Sequence, residues 1–313
     1  MTDPAARHDV VVIGAGPAGL TAGLYLGRYR RDVLIVHDGA SRALRIPLTH
    51  NAPGFPDGLE GPDLIDRMTR HATDYGAEIE QAEIIAIERL ADGFRLTAAD
   101  GRAWESRAVI LASGIILNQV DLPHDAHEAA IRAGVLRYCP ICDGYEHRDS
   151  RIGVIGCDSD GAAEALFLRH YSADITLMPL SHPELSQAQA AELAEAGIVV
   201  ETGALDTLEP EENRMHVRLA GRESPLSFDV VYPALGTRPR TGLAAQLGVN
   251  PNEAGCVPMC AIEDSGVPGF FAAGDVVDGL DQISVAMGHG AMAATHAHNW
   301  LREQDQHSLQ AKT

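Results

Sequence analysis

The chain begins with an apolar run, Val10-Val11-Val12-Ile13, that breaks on small residues, Gly14-Ala15-Gly16-Pro17-Ala18-Gly19. A helix-like stretch follows from Leu20 to Tyr29, and a second apolar run, Val33-Leu34-Ile35-Val36, ends at Asp38. Unbroken runs of this length suit strands buried on both faces, so strand, turn, helix and strand form a βαβ unit. A turn-rich loop, His50 to Gly58, precedes an amphipathic segment from Leu59 to Tyr75. Alternating strands are expected near Ile84–Ile87 and Phe94–Thr97, and a buried strand at Ala108–Ala112. The βαβ pattern then recurs: strand Ile152–Ile155, turn Gly156-Cys157-Asp158-Ser159-Asp160-Gly161, helix from about Ala162 to Tyr171, strand Ile175–Met178. Farther on, Gly269-Phe270-Phe271-Ala272-Ala273-Gly274-Asp275 reads as a strand stopping at a turn, and a helix rich in small residues runs from Gln282 to Leu301. The polar tail, 302–313, is expected to fray. The pattern predicts an α/β protein with two Rossmann-like units.

The first turn has the spacing G-x-G-x-x-G. Gly14 makes the tight turn, Gly16 lets backbone approach a pyrophosphate, and Gly19 lets helix pack on strand. Pro17 and Ala18 belong to the same turn and are further candidates to face the dinucleotide, and the amides at the N-terminus of the helix suit phosphates. Asp38 falls about twenty residues farther on, where an acid can accept hydrogen bonds from a ribose. The hexad alone is a weak signal. With strand, helix and distal acid in place it marks a dinucleotide site.

Composition narrows the function. The 313 residues suit two domains. The net charge is −20, with 44 acidic against 24 basic residues, which argues against nucleic acid as partner. Aromatics are only 5%, too few for base-stacking platforms. No apolar run is long enough to span a membrane, and the polar start does not resemble a secretory leader. A cytoplasmic protein is the expectation.

Five cysteines are an odd number, so a structural disulfide framework is not the natural reading. Cys139-Pro140-Ile141-Cys142 supplies a thiolate and a resolving thiol at the spacing disulfide exchange needs. The competing reading is half a zinc site or two small buried hydrophobes. A structural zinc site wants four ligands, and no second pair has finger-like spacing, so no metal is expected. Cys157, Cys256 and Cys260 read as buried or incidental, and His124, His127, His296 and His298 as solvated. His289, on the last helix, reads either as an acid/base near a cofactor or as an ordinary polar helix residue.

The N-terminal G-x-G-x-x-G, the central Cys-x-x-Cys-Asp-Gly, the second nucleotide-type fold behind it and the C-terminal Ala-Ala-Gly-Asp with its helix occur together in this order. In this the chain resembles the low-molecular-weight thioredoxin reductase family over nearly its whole length. The resemblance implies a discontinuous FAD-binding domain, 1–117 plus 243–313, with a pyridine-nucleotide-like domain, 118–242, inserted into it and carrying the redox cysteines. It implies that Gly14, Gly16 and Gly19 cradle the FAD pyrophosphate and that Asp38 holds the adenosine ribose. Asn51 would lie near the flavin, Gly274 and Asp275 would bind the ribityl chain or a phosphate, and Gln282 and Ile283 would lie beside the ring. Cys142 becomes the flavin-facing thiol, Cys139 the thiol that attacks substrate, and Asp143 the general acid/base. The resemblance further implies a homodimer, and a small dithiol or disulfide or a thioredoxin-like protein as partner.

The second turn departs from the family pattern. Asp158 stands where a glycine is usual and brings a negative charge to the place of two phosphates, with Asp160 close behind. The stretch 179–184 has no arginine to clamp a 2′-phosphate, and Asp281 stands where the family often has arginine. The expectation is that NADPH binds poorly or not at all; the alternative is a nucleotide such as NADH in a shifted pose. Branches of the family without pyridine-nucleotide motifs take electrons from ferredoxin, or oxidise small dithiols, as the gliotoxin- and holomycin-type oxidases do. Asp143 differs from the histidine several of those oxidases carry. Three readings stand: an FAD-dependent thiol–disulfide oxidoreductase with impaired NADPH use, a conventional NADPH-dependent thioredoxin reductase, and a non-enzymatic flavin redox sensor.

Overall fold

The computed structural model describes residues 7–258 and 266–306. Cys260 lies outside them. In chain order the elements are β1 (Arg7–Ile13), α1 (Pro17–Arg28), β2 (Val33–His37), α2 (Gly61–Asp74), β3 (Glu78–Gln81), β4 (Ile84–Leu90), β5 (Gly93–Ala98), β6 (Ala103–Leu111), β7 (Ile115–Leu117), α3 (His124–Ala133) and α4 (Pro140–Asp143). Next come β8 (Ile152–Ile155), α5 (Ser159–Leu168), β9 (Ile175–Met178), α6 (Gln187–Glu195), β10 (Val199–Val200), β11 (Leu205–Pro210), β12 (Met215–Leu219), β13 (Leu226–Phe228), β14 (Val230–Pro233), β15 (Thr237–Pro239), α7 (Gly242–Gln246), β16 (Phe270–Ala272) and the long helix α8 (Ile283–Gln304).

Among the described residues the first sheet runs β3-β2-β1-β6-β5-β4, with β16 pairing to β6. Strand β1 is parallel to both β2 and β6, with Val12 opposite Ile35 and Ile110. Its hydrophobic run is continuous because both faces are covered. Val10 and Val12 join α1 and α8 in one core, and Val11 and Ile13 join Phe94, Leu111 and Phe270 in the other. The small residues of α8 have a packing reason: a Cβ on Gly290 would fall 2.2 Å from the Ala18 carbonyl oxygen, so α8 lies against α1 at backbone distance.

The second parallel sheet, β10-β9-β8-β14, repeats the βαβ start. An antiparallel sheet, β11-β12-β13, follows it. The sequence reading named no strands there, although Met215-His216-Val217-Arg218-Leu219 alternates buried and half-buried positions. Strands β7 and β15 pair antiparallel where the chain passes between the first sheet and the second.

Several local expectations need correction. Helix α5 begins at Ser159, not Ala162, because the Asp158 side chain caps it. His127 is only 2% exposed, with its Nε2 2.7 Å from the Tyr138 hydroxyl. His298 stacks on Tyr29 and receives a hydrogen bond from Arg31 Nε at 3.2 Å. The first residues of the tail are anchored: α8 continues to Gln304, and Asp305 pairs with Arg31 at 2.9 Å and with Arg107, while 307–313 lie outside the described residues.

Candidate functional site

The first turn lies at the C-terminal end of β1, between the neighbours β2 and β6, the place where open parallel sheets bind ligands. Gly14 has φ +112°, and a Cβ there would sit 2.2 Å from the Ala112 carbonyl oxygen. A Cβ on Gly19 would sit 1.8 Å from the Gly14 oxygen. Gly16 differs: its added Cβ would meet only the Ser41 hydroxyl, at 3.4 Å. Gly16 caps α1 with no side-chain hydrogen bond, and Pro17 starts the helix where a missing amide costs nothing.

In front of this turn is a cavity of about 690 Å³, within the range of cofactor sites. Gly14, Gly16, Pro17, Ala18, Asp38, Gly274, Asp275, Gln282 and Ile283 all line it. Two arginines that the sequence reading did not assign neutralise its acids. Arg240 donates to Asp38 at 2.8 Å, and the Ala40 amide donates to the same carboxylate at 2.9 Å; together they hold its pKa below the usual range. Arg42 pairs with Asp275 at 2.9 Å and reaches the Asp281 carbonyl. Burial raises the pKa of Asp275, and that of Asp281 rises to about 6 through burial and the Asp275 charge. Neither arginine stood out because each meets its acid only across the fold.

A second cavity of about 120 Å³ adjoins the first, sharing Arg42, Gln282 and Ile283. Cys139, Cys142, Asp143 and Asn51 line it, as do Arg45, Arg137 and Tyr138. The two cysteines form a disulfide with Cα atoms 5.3 Å apart. Cys139 is extended and Pro140 opens the short helix α4, so the pair straddles a helix start. The Gln282 amide lies 3.5 Å from both sulfurs, and its carbonyl oxygen accepts from Asn51 Nδ2 at 2.9 Å. Asn51 also reaches the Ile141 carbonyl at 3.4 Å. Thus Asn51, Gln282 and the disulfide, distant in sequence, form one contact.

Polar contacts tie the segment 42–50 to α3 and to the residues that follow α4. Arg45 binds Glu128 at 2.6 Å and His127 at 3.1 Å, and His50 lies 3.2 Å from Glu146. Asp143 is largely buried, and burial lifts its pKa to about 6 against the opposing pull of Tyr232 and Arg137. His289 lines neither cavity. Its ring lies near Gly279, and its buried Nδ1 has no hydrogen-bond partner among the described residues. Cys157 is buried with its thiol pushed up to about 11, and burial raises Cys256 as well, which disfavours thiolate chemistry at both.

At the second turn the glycine geometry recurs, but the middle position carries a side chain. Added Cβ atoms at Gly156 and Gly161 would fall 2.6 Å from the Ala234 oxygen and 1.5 Å from the Gly156 oxygen. Between them Asp158 Oδ1 accepts from the Asp160 amide at 3.1 Å and the Gly161 amide at 2.9 Å. Glu164, one turn on, has its pKa raised to about 7 by burial, Asp160 and Asp158.

Two nucleotide-type folds around a disulfide beside a deep cavity define a dinucleotide-dependent disulfide oxidoreductase. Residues 8–290 match the family described as pyridine nucleotide-disulphide oxidoreductase, and the chain belongs to it. A thioredoxin reductase of Mycolicibacterium smegmatis is 30% identical, covering 95% of this chain and 98% of the relative. One from Listeria innocua serovar 6a is 29% identical over 95% of this chain and 94% of its own. Among solved structures, HlmI superposes with a TM-score of 0.87 at 31% identity, covering 96% and 95% of the two chains. The protein is an FAD-dependent disulfide oxidoreductase of the thioredoxin reductase type.

Proposed function

We propose that the protein exchanges electrons between a bound FAD and an external dithiol or disulfide through Cys139 and Cys142, and that NADPH is a poor donor or none. The observation that carries the reading is the Cys139–Cys142 disulfide against Gln282, at the junction of the two cavities. The residues present fit the cofactor. Gly16 leaves its backbone open to a pyrophosphate, Asp38 offers a carboxylate to the ribose, and Asp275 offers one to the ribityl chain. Once bound, the flavin supplies two-electron exchange with the adjacent thiol pair. The N-terminus of α8, behind Gln282 and Ile283, favours negative charge on a ring beside it. Cys139 meets the external substrate, Cys142 faces the flavin, and Asp143 carries protons as the sulfurs change state.

The claim about NADPH rests on the second turn. The Asp158 carboxylate already uses the amides a pyrophosphate needs, and Asp160 and Glu164 add negative charge beside it. We assign 1–117 plus 243–313 to the FAD-binding part and 118–242 to the inserted part, in a cytoplasmic homodimer. Among the described residues no helix is long and apolar enough to cross a membrane. The identity to thioredoxin reductases favours a thioredoxin-like protein as a second substrate class beside small dithiols.

The test is an anaerobic titration of the yellow protein with NADPH, then NADH, then dithiothreitol, followed by flavin absorbance. Bleaching by the dithiol alone is the expected result, with oxygen restoring the colour. Prompt bleaching by NADPH overturns the donor assignment and leaves a conventional reductase. Absence of dithiol turnover in the wild type, or turnover that persists in Cys142→Ser, sinks the catalytic reading.

A further inference from the structure

We propose that Tyr232 and Arg137 are positioning residues that grip the two carboxylate oxygens of Asp143 and thereby set the pH at which the Cys139–Cys142 pair exchanges with a dithiol. The inference rests on the reading of Asp143 as the proton carrier and deepens it. Tyr232 sits on β14, fully buried, and its hydroxyl donates to Asp143 Oδ1 at 2.7 Å. Arg137 Nε lies 3.2 Å from Asp143 Oδ2. One oxygen thus meets a neutral donor and the other a permanent cation.

The backbone brings both partners to the same carboxylate. Residues 135–137 run alongside β14: Val231 N donates to Val135 O, and Arg137 N donates to Val231 O, each at 2.9 Å. The next residue of β14 is Tyr232. The following segment carries Arg137 into the cavity it shares with Cys139, Cys142 and Asp143. A buried phenol needs a partner, and a buried carboxylate left without donors stays protonated near neutral pH. The Tyr232 hydrogen bond and the Arg137 charge oppose burial and return Asp143 toward its anionic form.

The charged and titratable groups that act on this carboxylate are Tyr232, Arg137 and Glu146, and His147 lies one group away, where it feels Arg137, Glu146 and Asp229. Glu146 raises the pKa of Asp143. The ring of His147 lies edge-on to Tyr232 with centroids 6.1 Å apart, and burial lowers its pKa. In the exchange the incoming S–H proton passes to Asp143, and the substrate sulfur bonds to Cys139. The Cys139–Cys142 bond breaks, leaving its electron pair on Cys142. The second substrate thiol then attacks the bound substrate sulfur, closes the substrate disulfide and releases Cys139, which takes up that thiol's proton, so two electrons pass to the enzyme pair and the protons end on Asp143 and Cys139. Only ionised Asp143 can take the first proton, so the rate rises with pH through the Asp143 titration and levels off above it.

The experiment uses the FAD-loaded protein and its Tyr232→Phe, Arg137→Lys, Arg137→Met and Asp143→Asn variants, mixed anaerobically with dithiothreitol between about pH 5 and about pH 8. Flavin absorbance and acid-quenched, alkylated thiols are followed together. In Tyr232→Phe the acid limb is expected to move up by about one pH unit, with about a fivefold slower reaction near pH 6 and none of that loss near pH 8. Arg137→Met moves it the same way, and Arg137→Lys restores most of the wild-type profile. Asp143→Asn flattens the limb. A Tyr232→Phe profile that is unshifted, or slower by one factor at every pH, overturns the positioning role if Asp143→Asn is flat. A wild-type limb retained in Asp143→Asn overturns the proton-carrier reading. If Tyr232→Phe does not fold, the Met and Lys variants at Arg137 decide the same question.

Discussion

The two Rossmann turns of this chain are built on the same backbone and end differently. In each, the first and third glycines are fixed by the fold: side chains at Gly14, Gly19, Gly156 or Gly161 would run into carbonyl oxygens of the turn or the neighbouring strand. The middle position is not fixed in this way. At Gly16 an added Cβ would meet a single hydroxyl at ordinary contact distance, and beyond it lies the large cavity. At the corresponding Asp158 the side chain bends back onto the amides of the helix it precedes. The fold therefore requires the outer glycines, while the middle one is left free to face the cavity. An acid in the middle keeps the fold and supplies its own anion.

The largest test of this contrast is to make the first turn resemble the second. Gly16→Asp should cap α1 and exclude the pyrophosphate, so the purified protein should lose nearly all its flavin while keeping its fold. Flavin absorbance per chain and circular dichroism check this; a yellow variant would show that the amides are not what the cofactor needs. Next comes the fold requirement. Gly161→Ala should destabilise by about 3 kcal/mol, because backbone atoms must move to admit the methyl group. Chemical denaturation measures it, and a neutral result would break the claim that the outer glycines are structural.

A smaller effect is expected from Glu164. Burial, Asp160 and Asp158 raise its folded-state pKa to about 7 from the ordinary glutamate value of 4.5. Between those values the folded state binds more protons than the unfolded one, so stability falls as pH rises from about 4.5 to about 7. The change is on the order of 1 kcal/mol, and Glu164→Gln should flatten it in denaturation curves across that window. The mildest change is Asp158→Ala, which removes a helix cap and should cost about 1 kcal/mol. If the variant also gains measurable affinity for NADPH by calorimetry, the carboxylate was the obstacle. If it does not, the missing arginines in 179–184 weigh more.

Much of this was legible before the structure. The β1 run and its hexad, the strands Ile152–Ile155 and Ile175–Met178, and the Cys139–Cys142 pair are local patterns, and local patterns survive folding. Asp158 was legible as a departure but not as a cap, since a cap depends on where its side chain turns. His127 looked solvated because its neighbours in sequence are polar, while the groups that enclose it, Tyr138 and Arg45, come from elsewhere.

The sequence by itself determined the order of the elements, the position of the dinucleotide turn and the presence of a redox pair, because each depends on residues a few positions apart. Only the tertiary structure decided which charges meet. Arg240 finds Asp38, Arg42 finds Asp275, and Asp143 is held between Arg137 and Tyr232. Most of these contacts cross long stretches of chain, and their strength depends on burial that no single segment creates. The surroundings of Asp143 follow from how β14 and the segment before Cys139 lie side by side, which no spacing in the sequence records.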